Sequence, residues 1–207
     1  VISSASGQTI NLAAGSELAL TGVTRPANAT YTHAYMVLGN EFGITVNKQF
    51  TNTMHRFNTP TSGNFCWSTT GTLHNSDYNG VPADPTPFAS CGAEGDAAPA
   101  MYTEILDEFD VNTYSFGPVS TESGSLTAYL VTDSNDRLVS AVKTADRIFG
   151  SQILATPVEI TDTSSSFVVS FGVNQATNTI MSDEGSLNTY DLIAFGSGPF
   201  SAFITVE

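Results

Sequence analysis

Apolar residues recur at every second position along parts of this chain, in runs too short for helices. Leu18 and Leu20, then Ala34, Met36 and Leu38, alternate with other neighbours, the spacing of strands that bury one face. Short runs rich in β-forming residues fall at Thr9–Leu12, Glu17–Gly22, His33–Leu38 and Ile44–Phe50, separated by Gly, Asn, Pro or Ser. The turn from Gly39 to Gly43 is expected to join the last two as a hairpin. From Ser125 the strand signal returns: Leu126–Thr132 and Leu138–Val142 flank the turn Asp133-Ser134-Asn135-Asp136. Phe167–Val173, Thr179–Met181, Tyr190–Phe195 and Phe200–Val206 follow.

Between these halves the pattern changes. Residues Thr51–Ala97 hold Pro60, Pro82, Pro85 and Pro87 among many Asn, Ser, Thr and Gly, together with both cysteines and the single tryptophan. This reads as a long loop excursion, and long ordered loops tend to carry function. One helix is expected just after it, near Pro99–Phe109. Asp96 can cap it, Pro99 suits a first turn, and Met101, Ile105 and Phe109 recur at every fourth position. Glu104, Asp107 and Glu108 fall off that stripe and are expected on a solvated acidic face.

Many short strands with turn punctuation predict an all-β fold, an antiparallel sandwich or jelly-roll-like body with one short helix. The expected organisation is a single β-rich domain over 1–207. Its variant is two β subregions, about 1–50 and 125–207, joined by an excursion over 51–124.

Composition changes this picture in two ways. Charged residues make up only 13% of the chain, so Ser, Thr, Asn and Gly must supply much of its polarity. The formal net charge is −14, and the six basic residues (Arg25, Lys48, Arg56, Arg137, Lys143, Arg147) are scattered singly. Phosphate backbones are bound by clustered Lys and Arg, so nucleic acid is not an expected partner. No stretch approaches the roughly 18–20 apolar residues that span a bilayer, so no membrane span is expected. Cys66 and Cys91, an even count among turn-forming residues, are expected to form one disulfide, which points to an extracellular, cell-surface or virion setting.

The chain offers little recognisable chemistry. It has no Gly-x-Ser-x-Gly elbow and no phosphate-binding glycine loop. His33, His55 and His74 stand about twenty residues apart with no close pair, unlike a transition-metal site. A thiol nucleophile on Cys66 or Cys91 would need both to be unbonded. No cofactor is expected, with calcium the one candidate: Asp133, Asn135 and Asp136 place oxygen ligands on one turn, although Asx residues favour turns for backbone reasons too. Asn28-Ala29-Thr30 is a glycosylation sequon, making Asn28 a candidate attachment site. Trp67, Tyr78 and Phe88 in the excursion are candidate interface anchors, because aromatic side chains dominate binding hot spots.

Two function classes remain. The first is a non-enzymatic subunit of an extracellular assembly, such as a virion capsid or decoration protein or a pilus-like filament, whose partners are copies of itself and other structural proteins. The second is a secreted carbohydrate-binding module or carbohydrate-active enzyme. Low charge, short strands and missing catalytic motifs favour the first. Val1–Leu12 is a candidate donor strand for a neighbouring sheet.

Overall fold

The computed structural model describes residues 24–57, 59–78, 87–132, 137–172, 177–182, 191–198 and 201–207. Within them the chain is all-β. The strands are β1 (Ala29–Gly39), β2 (Glu41–Ile44), β3 (Asn47–Arg56), β4 (Ser62–Ser68), β5 (Thr72–His74), β6 (Ala89–Gly92) and β7 (Tyr102–Ile105). They continue with β8 (Ser115–Thr121), β9 (Gly124–Val131), β10 (Arg147–Ile160), β11 (Phe167–Gly172), β12 (Thr177–Ser182), β13 (Asp191–Ser197) and β14 (Ser201–Val206). A 3-10 turn at Asn75–Asp77 is the only helical element among the described residues.

Four sheets result, ordered β1-β10-β9-β8, β12-β13-β3-β4-β6, β2-β7-β5 and β11-β14. Pairing is antiparallel except for β13 on β3 and β5 on β7. The five-stranded and three-stranded sheets enclose a common core, with Met54, Cys66, Cys91 and Phe195 on one side and Ile44, Leu73 and Tyr102 on the other. β13 reads Leu-Ile-Ala-Phe without alternation because it is buried on both faces. A second core lies under the four-stranded sheet, where Ala128, Leu130 and Ile148 pack with Val139 and Ala145. Phe42 of β2 packs against both cores.

The expected helix at Pro99–Phe109 does not form; its centre is β7. Burial there has a period of two, with Tyr102 and Glu104 inside and Met101 61% exposed. A helix of about two turns is marginal by itself. This segment instead pairs with β2 on one side and β5 on the other, and Ala100 and Thr103 donate backbone hydrogen bonds to Ser68 and Gly71 at 2.9 Å each.

The expected excursion at Thr51–Ala97 is likewise corrected. Most of β3 and all of β4, β5 and β6 lie in it, and three of these strands belong to the five-stranded sheet. Pro60 falls between β3 and β4 and Pro87 just before β6, and polar residues such as Asn64 and Ser68 lie within strands. Gly63 shows why small residues occur there: a Cβ at that position would stand 1.9 Å from the Gly92 carbonyl oxygen of the neighbouring strand.

The hairpin expected at Gly39–Gly43 is a switch between sheets, since β1 pairs with β10 and β2 with β7. Asn40 fixes it from inside: buried, it donates from Nδ2 to the carbonyls of Leu106 (3.1 Å) and Ala145 (2.9 Å). The strand expected at Leu138–Val142 shrinks to one bridge between Leu138 and Val131. The readings at Phe167, Thr179, Tyr190 and Phe200 correspond to β11–β14, while Thr9–Leu12 and Glu17–Gly22 lie outside the described residues.

Candidate functional site

Cys66 and Cys91 form a disulfide between directly opposed residues of β4 and β6, and both are fully buried. Neither sulfur is a free thiol. The bridge joins the last two strands of the five-stranded sheet inside its core.

The three aromatic residues expected as interface anchors point the other way. Trp67 is buried at 9% exposure, and Tyr78 and Phe88 pack against the main core. Phe88 stacks on Tyr102 with ring centroids 6.0 Å apart. Their role here is to hold the chain onto its own body. Asn28 is exposed just before β1, where its side chain bonds Arg25 and Asp162. Asp133, Asn135 and Asp136 lie outside the described residues; the flanking Thr132 N–H donates to the Arg137 carbonyl at 2.9 Å. Among the described residues no three His, Cys, Asp or Glu side chains converge as metal ligands.

Glu104, Asp107 and Glu108 are not on a solvated face. All three are at most 2% exposed, because strand β7 and its continuation run through the interior instead of along a helix surface. Each carboxyl is held mainly by backbone N–H groups. Glu104 accepts from Ser197 N–H at 2.6 Å, tying β7 to the end of β13. Glu108 accepts from Asn112 N–H at 2.9 Å. Asp107 accepts from Ser76 N–H (2.9 Å), Ser76 Oγ (2.6 Å) and Lys143 N–H (3.1 Å), binding the 3-10 turn to the loop before β10.

His74 Nδ1 lies 3.5 Å from Asp107 Oδ2, longer than a well-formed hydrogen bond. Ser, His and Asp thus meet at one place, but with the carboxyl between the other two. A nucleophile relay needs the imidazole in the middle, so this cluster ties loops together and moves no proton to Ser76. Burial pushes the Glu104 carboxyl above the usual carboxylate range, against hydrogen bonds from Ser197 and Asn75 that pull it down. The Tyr78 and Tyr102 hydroxyls are pushed up chiefly by burial, with Glu104 adding to both.

The feature that faces solvent is the outer side of the four-stranded sheet. Register places Tyr35 and Val37 of β1, Phe149 and Ile153 of β10 and Tyr129 of β9 on one face. Tyr35 is 66% exposed, Ile153 53% and Val37 49%. Phe149 stacks on Tyr35 at 5.7 Å and meets Tyr129 at 6.3 Å, so the rings form a band across three strands. From His33 to Gly39, Ser125 to Val131 and Arg147 to Ile153 there is no Asp or Glu, in a chain with 20 of them.

Comparison with family models, curated proteins and solved structures returns no match to this chain. Function must therefore be reasoned from the geometry. None of the five residues of the aromatic band was singled out in the sequence. The signal lay in adjacent apolar pairs, Ile148-Phe149, Ile153-Leu154 and Tyr129-Leu130, which mark strands apolar on both faces.

Proposed function

We propose that this chain is a non-enzymatic structural subunit of an extracellular assembly, such as a virion coat or a surface filament, acting through protein–protein contacts. The observation that carries this reading is the exposed apolar face of the four-stranded sheet over His33–Gly39, Ser125–Val131 and Arg147–Ile153, stretches that contain no Asp or Glu. Large exposed apolar patches on folded proteins mark interaction surfaces. Here the patch is built on three hydrogen-bonded strands and carries no carboxylate, in a chain with 20 of them. The disulfide suits an oxidising compartment. The contact surface is thus Tyr35, Val37 and Ile153 with their ring neighbours, in place of Trp67, Tyr78 and Phe88.

The test is sedimentation across salt concentrations. A chain at −14 repels its copies, and salt screens that repulsion, so association should strengthen as salt is added. Ile153→Lys or Tyr35→Ala should weaken it. A protein that stays monomeric throughout and binds a polysaccharide through Tyr35 would replace this reading with that of a carbohydrate-binding module.

A further inference from the structure

On the basis of that reading, we infer that the first partner is a second copy of the chain, joined by antiparallel pairing of the two β1 strands. β1 ends the four-stranded sheet, and among the described residues it pairs with β10 alone. Among the described residues nothing pairs with its other side, which presents a row of backbone donors and acceptors along the strand. Natural edge strands are guarded by lysines, prolines, inward charges or brevity. Ala29–Gly39 contains no Lys, Arg, Asp, Glu or Pro, and only His33 among imidazole and charged groups. The single irregularity, between Tyr31 and His33, leaves His33–Gly39 regular.

The opposite edge is guarded. β8 carries Pro118, which lacks an N–H, and its register breaks between Phe116 and Val119. A head-to-tail filament, β1 on β8, would have to pair across that break. Two β1 strands related by a dyad meet no such obstacle, and the symmetric contact closes on itself. Charge favours the same solution. β1 itself carries no carboxylate or fixed cation to repel its own copy, and the carboxylate-free stretches His33–Gly39 of the two copies meet each other.

A dyad at Met36 centres the regular stretch. Tyr35 of each copy then lies beside Val37 of the other on the aromatic face, an aromatic–β-branched cross-strand pair, and Ala34 lies beside Leu38 on the inner face. Four strands from each copy give one continuous sheet of eight.

The native Cys66–Cys91 disulfide leaves no free thiol, so a single introduced cysteine reports contact. Met36→Cys, opposite itself across the dyad with Cβ atoms about 5 Å apart, should cross-link on mild oxidation to twice 21.8 kDa. Ile153→Cys, one strand in, should not. Val37→Lys should shift the native dimer to a folded monomer, with the wild-type far-UV circular dichroism and cooperative unfolding retained, and it needs no new thiol. Cross-linking through Ile153→Cys but not Met36→Cys would overturn edge pairing in favour of stacked faces and leave the assembly reading standing. A dimer that persists in Val37→Lys and fails to cross-link at Met36→Cys would overturn edge pairing as well. A wild-type chain that is monomeric at every salt concentration would overturn both.

Discussion

Replacing Asp107 by Ala should cost this fold more than any other single carboxyl substitution, and the structure allows the loss to be worked out. The side chain is fully buried and accepts three hydrogen bonds, from Ser76 N–H, Ser76 Oγ and Lys143 N–H. Alanine strands all three donors. A buried donor left without a partner costs about 1–3 kcal/mol. Ser76 is half-buried and Lys143 exposed, so water recovers part of this, and about 3–5 kcal/mol remains. Asp107→Asn keeps the shape and one acceptor oxygen, and Ser76 Oγ can turn to accept from the new amide. Only the Lys143 N–H then faces a donor, for a loss of about 1–2 kcal/mol. Equilibrium urea denaturation with the disulfide intact measures both variants. At about 2–4 °C per kcal/mol for a chain of this size, Asp107→Ala should melt roughly 10 °C below wild type. An Asp107→Ala chain within about 1 kcal/mol of wild type, with unchanged hydrogen exchange at Ser76 and Lys143, would refute the assignment of Asp107 as the clamp between turn and loop.

Two further outcomes are expected. Reduction of Cys66–Cys91, or the double substitution to Ala, should cost about 3–4 kcal/mol for a loop of this length, read from the shift in denaturation midpoint. Glu104 has its pKa raised by folding, so the native state holds that proton more tightly than the unfolded chain does. Its contribution is therefore most favourable below the unfolded carboxyl value and is lost as pH rises through the folded one. Glu104→Gln, which keeps an oxygen for Ser197 N–H, should thus gain stability relative to wild type at neutral pH, with the gain shrinking as pH falls toward 4 in matched denaturation series.

Legibility in the sequence followed burial. β11 to β14 stood out because each is short and bounded by Gly, Asn or Ser. β10, the longest strand, was missed: its apolar residues come in adjacent pairs because Ile148 faces the core and Phe149 the outer band. Pro157 stands inside this strand. It is tolerated because the register jumps from Ile153 to Val158 opposite Tyr31 and His33, a bulge that places the proline outside the ladder. The helix expected at Pro99–Phe109 failed for the opposite reason. Its fourfold stripe was present in the residues, but strands on both sides offered the backbone more hydrogen bonds than a free two-turn helix could.

The acidic and aromatic residues explain why the sequence and the fold point to different segments for the candidate surface. Read one by one, Glu104, Asp107 and Glu108 look like surface charge, and Trp67, Tyr78 and Phe88 look like anchors on a long loop. In the fold these roles are exchanged. Carboxyls with backbone donors close at hand go inside, where they hold a turn and two loops that have no sheet of their own to join. The aromatic residues of the same region fill the core those loops surround. What is left for the outside of the four-stranded sheet, over His33–Gly39, Ser125–Val131 and Arg147–Ile153, is a stretch that no carboxylate interrupts. Among the described residues Ala128, Leu130 and Ile148 pack on one side of that sheet, and the exposed Tyr35, Val37 and Ile153 lie on the other, the side on which the proposed contact rests.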